Sequence, residues 1–380
     1  MNARSVTLVI SPIEWSFVWQ RHQTLAVLLA RDSDVVFCEV PGIRRVRWGD
    51  AGRIGRRLRA LALGGEKAGN SPPAGVRIVR PFLLPASNAV FCALNDRLIG
   101  RFLGRVAELR GGVGLIVNYS VSRSALQLIA RVPHRRLVYE CTDNWPAVEG
   151  IPRFLPADEQ ALLKQADLTL VPSRRIEELK RPLARRIARV PHGVLVERFL
   201  LPPKTRNSDG SVTVLYYGHL HRQHLDFELL TQLALLRPAW RIVLVGPVRT
   251  PHGFPANVSL PGQQPHAGLR DFIRDADVLL LPYAVNVYTR AVLPAKIYEC
   301  LATGRPIVAV PLPELMEGFA EHLRFAADGE GFVREIEAVL AGDTTEARAR
   351  RIALAHANTW EERYRQIRGL LAELDRAEPR

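Results

Sequence analysis

The fold is decided by the stretch Arg290–Ala309, which reads RAVLPAKIYECLATGRPIVA. Pro294 suits the first turn of a helix, and Gly304 suits the position just beyond a helix end. The apolar, β-branched run from Pro306 onwards is typical of a buried strand. The stretch therefore predicts a helix that leads directly into a strand, which is one unit of a parallel α/β domain.

One face of this predicted helix carries polar side chains. At ~100° per residue Lys296, Glu299 and Thr303 share a face, and the opposite face is apolar. A helix N-terminus with a lysine in its first turn suits a diphosphate, and Glu299 could accept hydrogen bonds from two ribose hydroxyls. The alternative is an ordinary surface ion pair between Lys296 and Glu299.

Strands alternate with helices on both sides of this stretch, which predicts parallel sheets. The predicted strands are 6–11, 35–39, 115–119, 137–141, 168–172 and 188–191, followed by 212–217, 241–245, 258–260, 278–282, 306–310 and 324–326. A polar, proline-rich stretch near Pro202–Gly210 separates the two series. We therefore predict two doubly wound domains. The predicted boundaries are 1–200, a linker at 201–210, 211–343, and a helical segment at 344–380.

Composition fits a cytoplasmic α/β protein. The 380 residues are 47% hydrophobic and 24% charged, which is typical of globular chains that are long enough for two domains. The four cysteines form no paired or metal-binding pattern, which favours a reducing compartment. No apolar run approaches the ~20 residues of a membrane span. The net charge of +14 comes almost entirely from arginine and favours an anionic partner.

The stretch Arg290–Ala309 resembles the nucleotide-binding signature of glycosyltransferase family 4, P-x-K-x-x-E-x-x-A-x-G-x-P-V-V-A, with Ile307 in place of one valine. Other segments agree with bacterial teichuronic-acid and exopolysaccharide transferases. The segment at 15–26 is similar to their W-x-x-x-W-Q-R-x-x-x-L-A opening. The segments at 189–194 and 214–219 are similar to the interdomain signature and to the first strand of the donor domain.

This resemblance implies the GT-B fold, in which two Rossmann-like domains face a cleft and the C-terminal helix packs back toward the N-terminal domain. It implies sugar transfer from a UDP- or GDP-linked donor, used as a substrate, with no further cofactor and no metal. The acceptor would be a polysaccharide, a glycolipid or another lipid-linked glycan. The implied nucleotide-binding residues are Lys296, Glu299, Arg222, Gly218 and Pro294.

The sequence departs from the family pattern at two places. Ala291 stands where many family 4 enzymes have a glutamate that contacts the donor sugar. His219, Arg222 and His224 replace the arginine and lysine that usually follow the glycine of the first donor-domain strand. The donor sugar and the stereochemistry are therefore left open, and the pattern is closer to the xanthan-type glucuronosyltransferases.

The predicted catalytic base is Asp143, which follows a strand of the first domain and resembles the catalytic aspartate of xanthan-type inverting enzymes. A simple turn or capping role is the alternative for this residue, and Glu140 is an alternative base. His22 and Glu14 are candidate acceptor contacts or merely loop residues.

Two D-x-D triplets, Asp32–Asp34 and Asp275–Asp277, could in principle bind a metal ion. Each lies between a predicted helix and a predicted strand, where aspartate is a common turn former. We therefore interpret both triplets as turns.

A basic segment, Arg44–Arg59, combines seven arginines with interleaved apolar residues. This composition suits an anionic membrane surface, at ~1 kcal/mol per basic residue, and we expect peripheral attachment to the inner face of the plasma membrane. A solvated loop is the alternative. No nucleic-acid-binding motif accompanies the charge, so we do not expect a nucleic-acid partner.

Two other functions fit the same architecture. A sugar-nucleotide epimerase also uses two GT-B domains, although the N-terminal signature at 15–26 argues for an acceptor. A non-catalytic scaffold is suggested by Ala291, which removes a sugar-binding carboxylate.

Overall fold

The computed structural model describes residues 4–42, 72–84, 89–204 and 210–376. The predicted membrane segment Arg44–Arg59 and residues 205–209 of the predicted linker lie outside these ranges. The chain forms two compact units. The first comprises Met1–Pro172, Ile176–Arg189 and Ala372–Arg380, and the second comprises Ser173–Arg175 and Val190–Leu371.

The first unit is built on a seven-stranded parallel sheet with the order β3-β2-β1-β4-β5-β6-β7. Its strands are β1 Val6–Ser11, β2 Asp34–Glu39, β3 Val76–Val79, β4 Val113–Asn118, β5 His134–Glu140, β6 Leu168–Val171 and β7 Ile187–Arg189. Six of these strands were predicted. The short edge strand β3 was not, because four residues that include an arginine give little periodicity.

The second unit is built on a six-stranded parallel sheet with the order β10-β9-β8-β11-β12-β13. Its strands are β8 Thr213–Tyr217, β9 Arg241–Val245, β10 Val258–Gly262, β11 Val278–Leu281, β12 Ile307–Ala309 and β13 Arg324–Phe325. All six strands were predicted, with end points that differ by a few residues. The two sheets confirm the predicted doubly wound α/β class.

Helices connect the strands in both units. They are α1 Arg21–Leu29, α2 Ala89–Arg105, α3 Ala107–Arg110, α4 Arg123–Arg131, α5 Leu155–Gln165, α6 Arg174–Lys180, α7 Val196–Phe199, α8 Phe227–Leu236, α9 His266–Asp275, α10 Ile297–Ala302, α11 Pro313–Phe319, α12 Gly329–Gly342, α13 Thr345–His356 and α14 Trp360–Arg376. None of the helices in the described ranges is both long enough and apolar enough to cross a bilayer.

The last helix belongs to both units. Its final turn is grouped with the first unit, where the Arg136 guanidinium donates to the Leu374 carbonyl oxygen at 2.9 Å. The main boundary between the two units lies at Val190, which precedes the predicted linker at 201–210. The extent of that linker remains a prediction.

Each sheet has one point where the strand order reverses. In the first unit this point lies between β1 and β4, and in the second it lies between β8 and β11. In doubly wound sheets the loops at the carboxyl ends of the strands part at such a point and leave a crevice for ligands. The central strands are buried on both faces, as in β1 and β11. Chemistry is therefore expected at the carboxyl edges.

A buried ion pair lies beneath the carboxyl end of β5. Lys180 Nζ donates to Glu159 Oε2 at 2.5 Å, and the two side chains are 6% and 3% exposed. Glu159 Oε1 also accepts hydrogen bonds from the Tyr139 hydroxyl at 3.1 Å and from Cys141 Sγ at 3.5 Å. The carboxylate is thus held by three side chains of the first unit, and removing its cation would leave a buried charge without its counterion.

We expect Lys180→Met to lower the thermal unfolding midpoint by ~10 °C, because an uncompensated buried carboxylate costs ~3–5 kcal/mol. The matched control is Arg181→Met, which removes the neighbouring cation from its exposed ion pair with Glu177 and should cost at most ~1 kcal/mol. Differential scanning calorimetry measures both variants. Equal decreases in the unfolding midpoint of the two variants would show that the buried ion pair contributes no more to stability than the exposed one.

Candidate functional site

A pocket of about 140 Å³ lies at the switch point of the second unit, where β8 and β11 end. Aromatic and basic side chains dominate its wall. The lining residues are Tyr216, His219, His224, Tyr283, Tyr288, Thr289, Val292, Pro294, Ala295, Lys296 and Leu312. All of them belong to the second unit, and none of them is a carboxylate. The pocket therefore suits an anionic ligand.

The main cation of this pocket is Lys296, at the N-cap of α10. Its ammonium donates to the Tyr283 hydroxyl at 3.0 Å and approaches the Tyr216 hydroxyl at 3.5 Å. It also lies 4.9 Å from the ring centroid of Tyr216 and 5.5 Å from that of Tyr283. Burial opposes the charge, but the two phenols favour the ammonium and hold the pKa of Lys296 above its usual value.

Gly218 brings the backbone close to this ammonium. It follows β8 directly and has φ +143°, a conformation that L side chains rarely adopt. A Cβ at this position would lie 2.5 Å from the Tyr216 hydroxyl and 2.8 Å from Lys296 Nζ. A side chain at position 218 would therefore displace Lys296, and the predicted site glycine lies against the predicted site lysine.

Helix α10 is shorter than its sequence suggests. It begins at Ile297 rather than at Pro294, whose carbonyl accepts from the Ile297 N–H at 3.0 Å in the preceding turn. Pro294 nevertheless lines the pocket. Gly304 ends the helix region with φ +70°, as predicted. Because the helix is so short, the ammonium of Lys296 supplies most of the local positive charge.

Two residues of the predicted ligand-binding face differ in their surroundings. Glu299 is half-buried beside Lys296, and desolvation raises the pKa of its carboxyl to about 7 although Lys296 and Tyr217 oppose the shift. Thr303 is fully buried instead of facing a ligand. Its hydroxyl donates to the Cys300 carbonyl at 2.7 Å and accepts from the Arg305 N–H at 3.0 Å, which closes the helix end.

Arg222 lies away from the pocket wall. Its guanidinium donates to Glu228 at 3.1 Å and contacts His252 Nδ1 at 3.0 Å, and the side chain is 49% exposed. Ala291 is buried, and its carbonyl accepts from the Ser173 hydroxyl at 2.6 Å. The structure thus brings Lys296, Gly218 and Pro294 together and gives Arg222 other partners.

The predicted base lies in the first unit. Asp143 follows β5 by three residues and is partly exposed, and its Oδ2 accepts from the Thr142 hydroxyl at 3.2 Å. The alternative base Glu140 is 1% exposed and holds the Arg21 guanidinium with both oxygens, at 2.8 and 3.0 Å. Because its two oxygens are engaged by a buried arginine, Glu140 is poorly placed to accept a substrate proton.

The W-x-x-x-W-Q-R segment forms a structural cluster beside the switch point of the first unit. The buried indole of Trp15 packs edge-on against Phe37, with ring centroids 5.0 Å apart, and the backbone N–H of Trp15 donates to Glu39 Oε1 at 2.8 Å. His22 is also buried, with its ring 4.0 Å from that of Tyr119, and burial together with Arg21 lowers its pKa to about 3. Glu14 is exposed.

The D-x-D aspartates have structural partners. Asp277 accepts from the Thr213 N–H at 2.8 Å and pairs with Lys204 at 2.7 Å, and Asp34 pairs with Arg4 at 3.7 Å. Across the described ranges, no group of three or more His, Cys, Asp or Glu side chains is arranged to hold a metal ion.

Sequence reasoning missed the aromatic part of the site. Tyr216, Tyr283 and Tyr288 line the pocket, and none of them was a candidate. Their positions in the sequence could have indicated them, since Tyr216 lies two residues before Gly218 and Tyr283 follows the strand β11. Residues at the carboxyl ends of the strands that flank the switch point are the ones that meet a ligand.

Comparison with known proteins supports the predicted class. Residues 222–369 match the family model described as Glycosyl transferase-like. A putative teichuronic acid biosynthesis glycosyltransferase, TuaH of Bacillus subtilis (strain 168), is 24% identical over 266 residues, which is 61% of this chain and 66% of the relative. The match thus spans slightly less than two thirds of that relative.

Two solved structures resemble the whole chain. Sucrose-phosphate synthase from Thermosynechococcus elongatus has a TM-score of 0.71 and 16% identity, covering 99% of this chain and 100% of that one. HepE of Anabaena, in complex with UDP and glucose, has a TM-score of 0.67 and 14% identity, covering 97% and 99%. At such identities the structural likeness shows the fold alone. The fold, the family match over residues 222–369 and the bacterial relative together support a GT-B glycosyltransferase.

Proposed function

We propose that this chain transfers a sugar from a UDP-linked donor, held in the pocket of the second unit, to a hydroxyl of a cell-envelope polysaccharide or lipid-linked glycan. The observation that carries the proposal is the ammonium of Lys296, which the phenols of Tyr216 and Tyr283 hold against Gly218 in the pocket wall. UDP is favoured over GDP because the HepE structure contains UDP. The relative TuaH, named for teichuronic acid synthesis, favours an envelope acceptor.

The pocket chemistry suits the departure of a nucleoside diphosphate. In the transfer step, the acceptor oxygen forms a bond to the anomeric carbon. The bond from that carbon to the diphosphate oxygen breaks, and its electron pair stays on the diphosphate. We assign the neutralisation of this developing charge to Lys296, because a preorganised cation in a partly desolvated site is effective for that purpose. We assign the proton of the acceptor hydroxyl to Asp143.

Neither a metal nor a further cofactor has a part in this proposal. The donor itself is a substrate, and the positive charge comes from side chains of the chain. A sugar-nucleotide epimerase is less well supported, because both the family match and the bacterial relative are glycosyltransferases.

Lys296→Ala should abolish the increase in melting temperature that UDP gives the wild type, because the diphosphate loses its main cation. Differential scanning fluorimetry with UDP and GDP in parallel measures the effect. The control is Lys164→Ala, which removes an exposed lysine from α5 and should leave the shift intact. If neither nucleotide stabilises the wild-type protein, the proposed function is wrong.

A turnover assay run beside the thermal-shift assay distinguishes loss of the proposed base from loss of donor binding. Asp143→Asn should keep the UDP-induced shift but lose ~10²-fold or more in the release of UDP from a UDP-sugar, measured with water as the acceptor and with EDTA present. Glu149→Gln changes an exposed carboxylate nearby and should retain full turnover. Wild-type turnover in Asp143→Asn would contradict the assigned base.

Glu299 should make the free energy of unfolding decrease as pH rises. Its carboxyl pKa rises from 4.5 to about 7 on folding, so its contribution to stability is fully present below about pH 4.5 and is lost as pH rises through 7. Relative to Glu299→Gln, the wild type should lose ~3 kcal/mol between those pH values. Urea titrations of both proteins across this range measure the difference. A pH-independent difference would show that the carboxyl is well solvated.

We also propose that the protein works at the inner face of the plasma membrane, with the segment Arg44–Arg59 on anionic lipid. The wild type should sediment with vesicles that contain about 30% phosphatidylglycerol and should be released by about 0.5 M salt. A variant with the seven arginines changed to serine should stay in the supernatant, as should the wild type with neutral vesicles. Equal sedimentation of wild type and variant would contradict this attachment.

A further inference from the structure

A buried ion pair ties the start of α1 to the end of β5 in the first unit. Arg21 is the first residue of α1, and Glu140 is the last residue of β5. The guanidinium donates through Nε to Glu140 Oε2 at 2.8 Å and through a terminal nitrogen to Glu140 Oε1 at 3.0 Å. The two side chains are 3% and 1% exposed. Because both oxygens are engaged, the contact fixes the distance and the relative orientation of the two groups.

Stability alone does not account for this pair. Taking two charges out of water costs about as much as their attraction returns, and an apolar pair of similar volume often stabilises a fold equally well. What a two-pronged ion pair adds over an apolar contact is a defined geometry at one place. That place is the end of β5.

The loop that begins at Glu140 carries the proposed base. Asp143 lies three residues further on and is partly exposed, whereas Cys141 and Asn144 on either side of it are buried. The Cys141 N–H donates to the Leu170 carbonyl of β6 at 2.8 Å, and Cys141 Sγ donates to the Asp143 carbonyl at 3.6 Å. The backbone that leads to Asp143 is therefore held from its first residue onwards.

The carboxylate of Asp143 is oriented as well. The Thr142 hydroxyl donates to Asp143 Oδ2 at 3.2 Å. A carboxylate takes a proton from a hydroxyl only within hydrogen-bond reach, and a displacement of ~1 Å in a reacting geometry can cost ~10²-fold in rate. A shift of Glu140 would therefore be felt at Asp143, because only two residues separate them.

We propose that Arg21 is the positioning residue of the base. Through Glu140 it holds the end of β5, so that the Asp143 carboxylate meets the acceptor hydroxyl. As the hydroxyl oxygen bonds to the anomeric carbon, its proton passes to Asp143, and Arg21 exchanges no proton. This inference rests on the proposed function and deepens it, because it gives the arginine of the W-x-x-x-W-Q-R segment a part in the transfer step.

The test is a double-mutant cycle on the release of UDP from a UDP-sugar, with water as the acceptor and with EDTA present. Arg21→Lys keeps the positive charge but loses the planar fork, so turnover should fall ~10-fold or more. The rise in melting temperature that UDP causes should be unchanged. In the Asp143→Asn background Arg21→Lys should have no further effect, because no base is left to position.

The matched control is Arg80→Lys. The Arg80 guanidinium holds Glu39 in the same way, at 2.6 and 3.2 Å, at the end of β2 in the same sheet. The residues that follow β2 directly, Val40 and Pro41, carry no carboxylate. Arg80→Lys should therefore keep the turnover of the wild type.

Circular dichroism shows whether each variant is folded. If Arg21→Lys does not fold, Glu140→Gln replaces it in the cycle, because glutamine keeps the size of the side chain but lacks the charge and one acceptor oxygen. Its turnover should likewise fall in the wild-type background and stay constant in the Asp143→Asn background.

Four results would overturn this inference and leave donor binding by the second unit standing. They are full turnover in the Arg21 variant, an equal fractional loss in both backgrounds, an equal loss in Arg80→Lys, and full turnover in Asp143→Asn. An equal fractional loss is what a merely structural role would give. If the wild type neither binds UDP or GDP nor releases UDP from a UDP-sugar, the proposed function is wrong, and this inference falls with it.

Discussion

The pocket of the second unit depends on one electrostatic constraint, which is the need to keep an ammonium charged in a place where little water reaches it. Lys296 meets this need through the oxygens and ring faces of Tyr216 and Tyr283. Tyr216 is the last residue but one of β8, and Tyr283 lies two residues beyond β11, which neighbours β8 in the sheet. The sheet therefore sets the position of the ammonium through these two tyrosines. The short helix α10 only carries the lysine at its N-cap.

The glycines near this charge follow from the same constraint. Gly218 leaves room for the ammonium, and Gly246 leaves room for Gly218, since a Cβ at position 246 would lie 1.8 Å from the Gly218 carbonyl oxygen. Both have φ values near +144° and both follow a strand directly. The carboxyl edge of the sheet thus carries no side chain at positions 218 and 246, where the backbone conformation and the close neighbours permit only glycine.

Much of this architecture could be predicted from the sequence, because strands, turns and the lysine segment have local signatures. Gly304 and the strand after it were predicted from a few adjacent residues. The partners of charged side chains could not be predicted, since they are set by residues far apart in the chain. Arg21 and Glu140 are separated by 119 positions, and Arg222 and His252 are separated by 30. Alternation along β8 likewise could not tell whether Tyr216 or Tyr217 would face the ligand.

All lining residues of the pocket belong to the second unit, whereas Asp143, the proposed base, belongs to the first. If this pocket binds the donor, as proposed, it can be filled before any acceptor arrives, because its lining contains no residue of the other unit. The pocket wall itself offers no carboxylate that could deprotonate water next to such a donor. With the proposed base on a separate part of the chain, donor that is bound without Asp143 nearby would be protected from hydrolysis, so that the energy of the nucleotide bond is kept for the glycan.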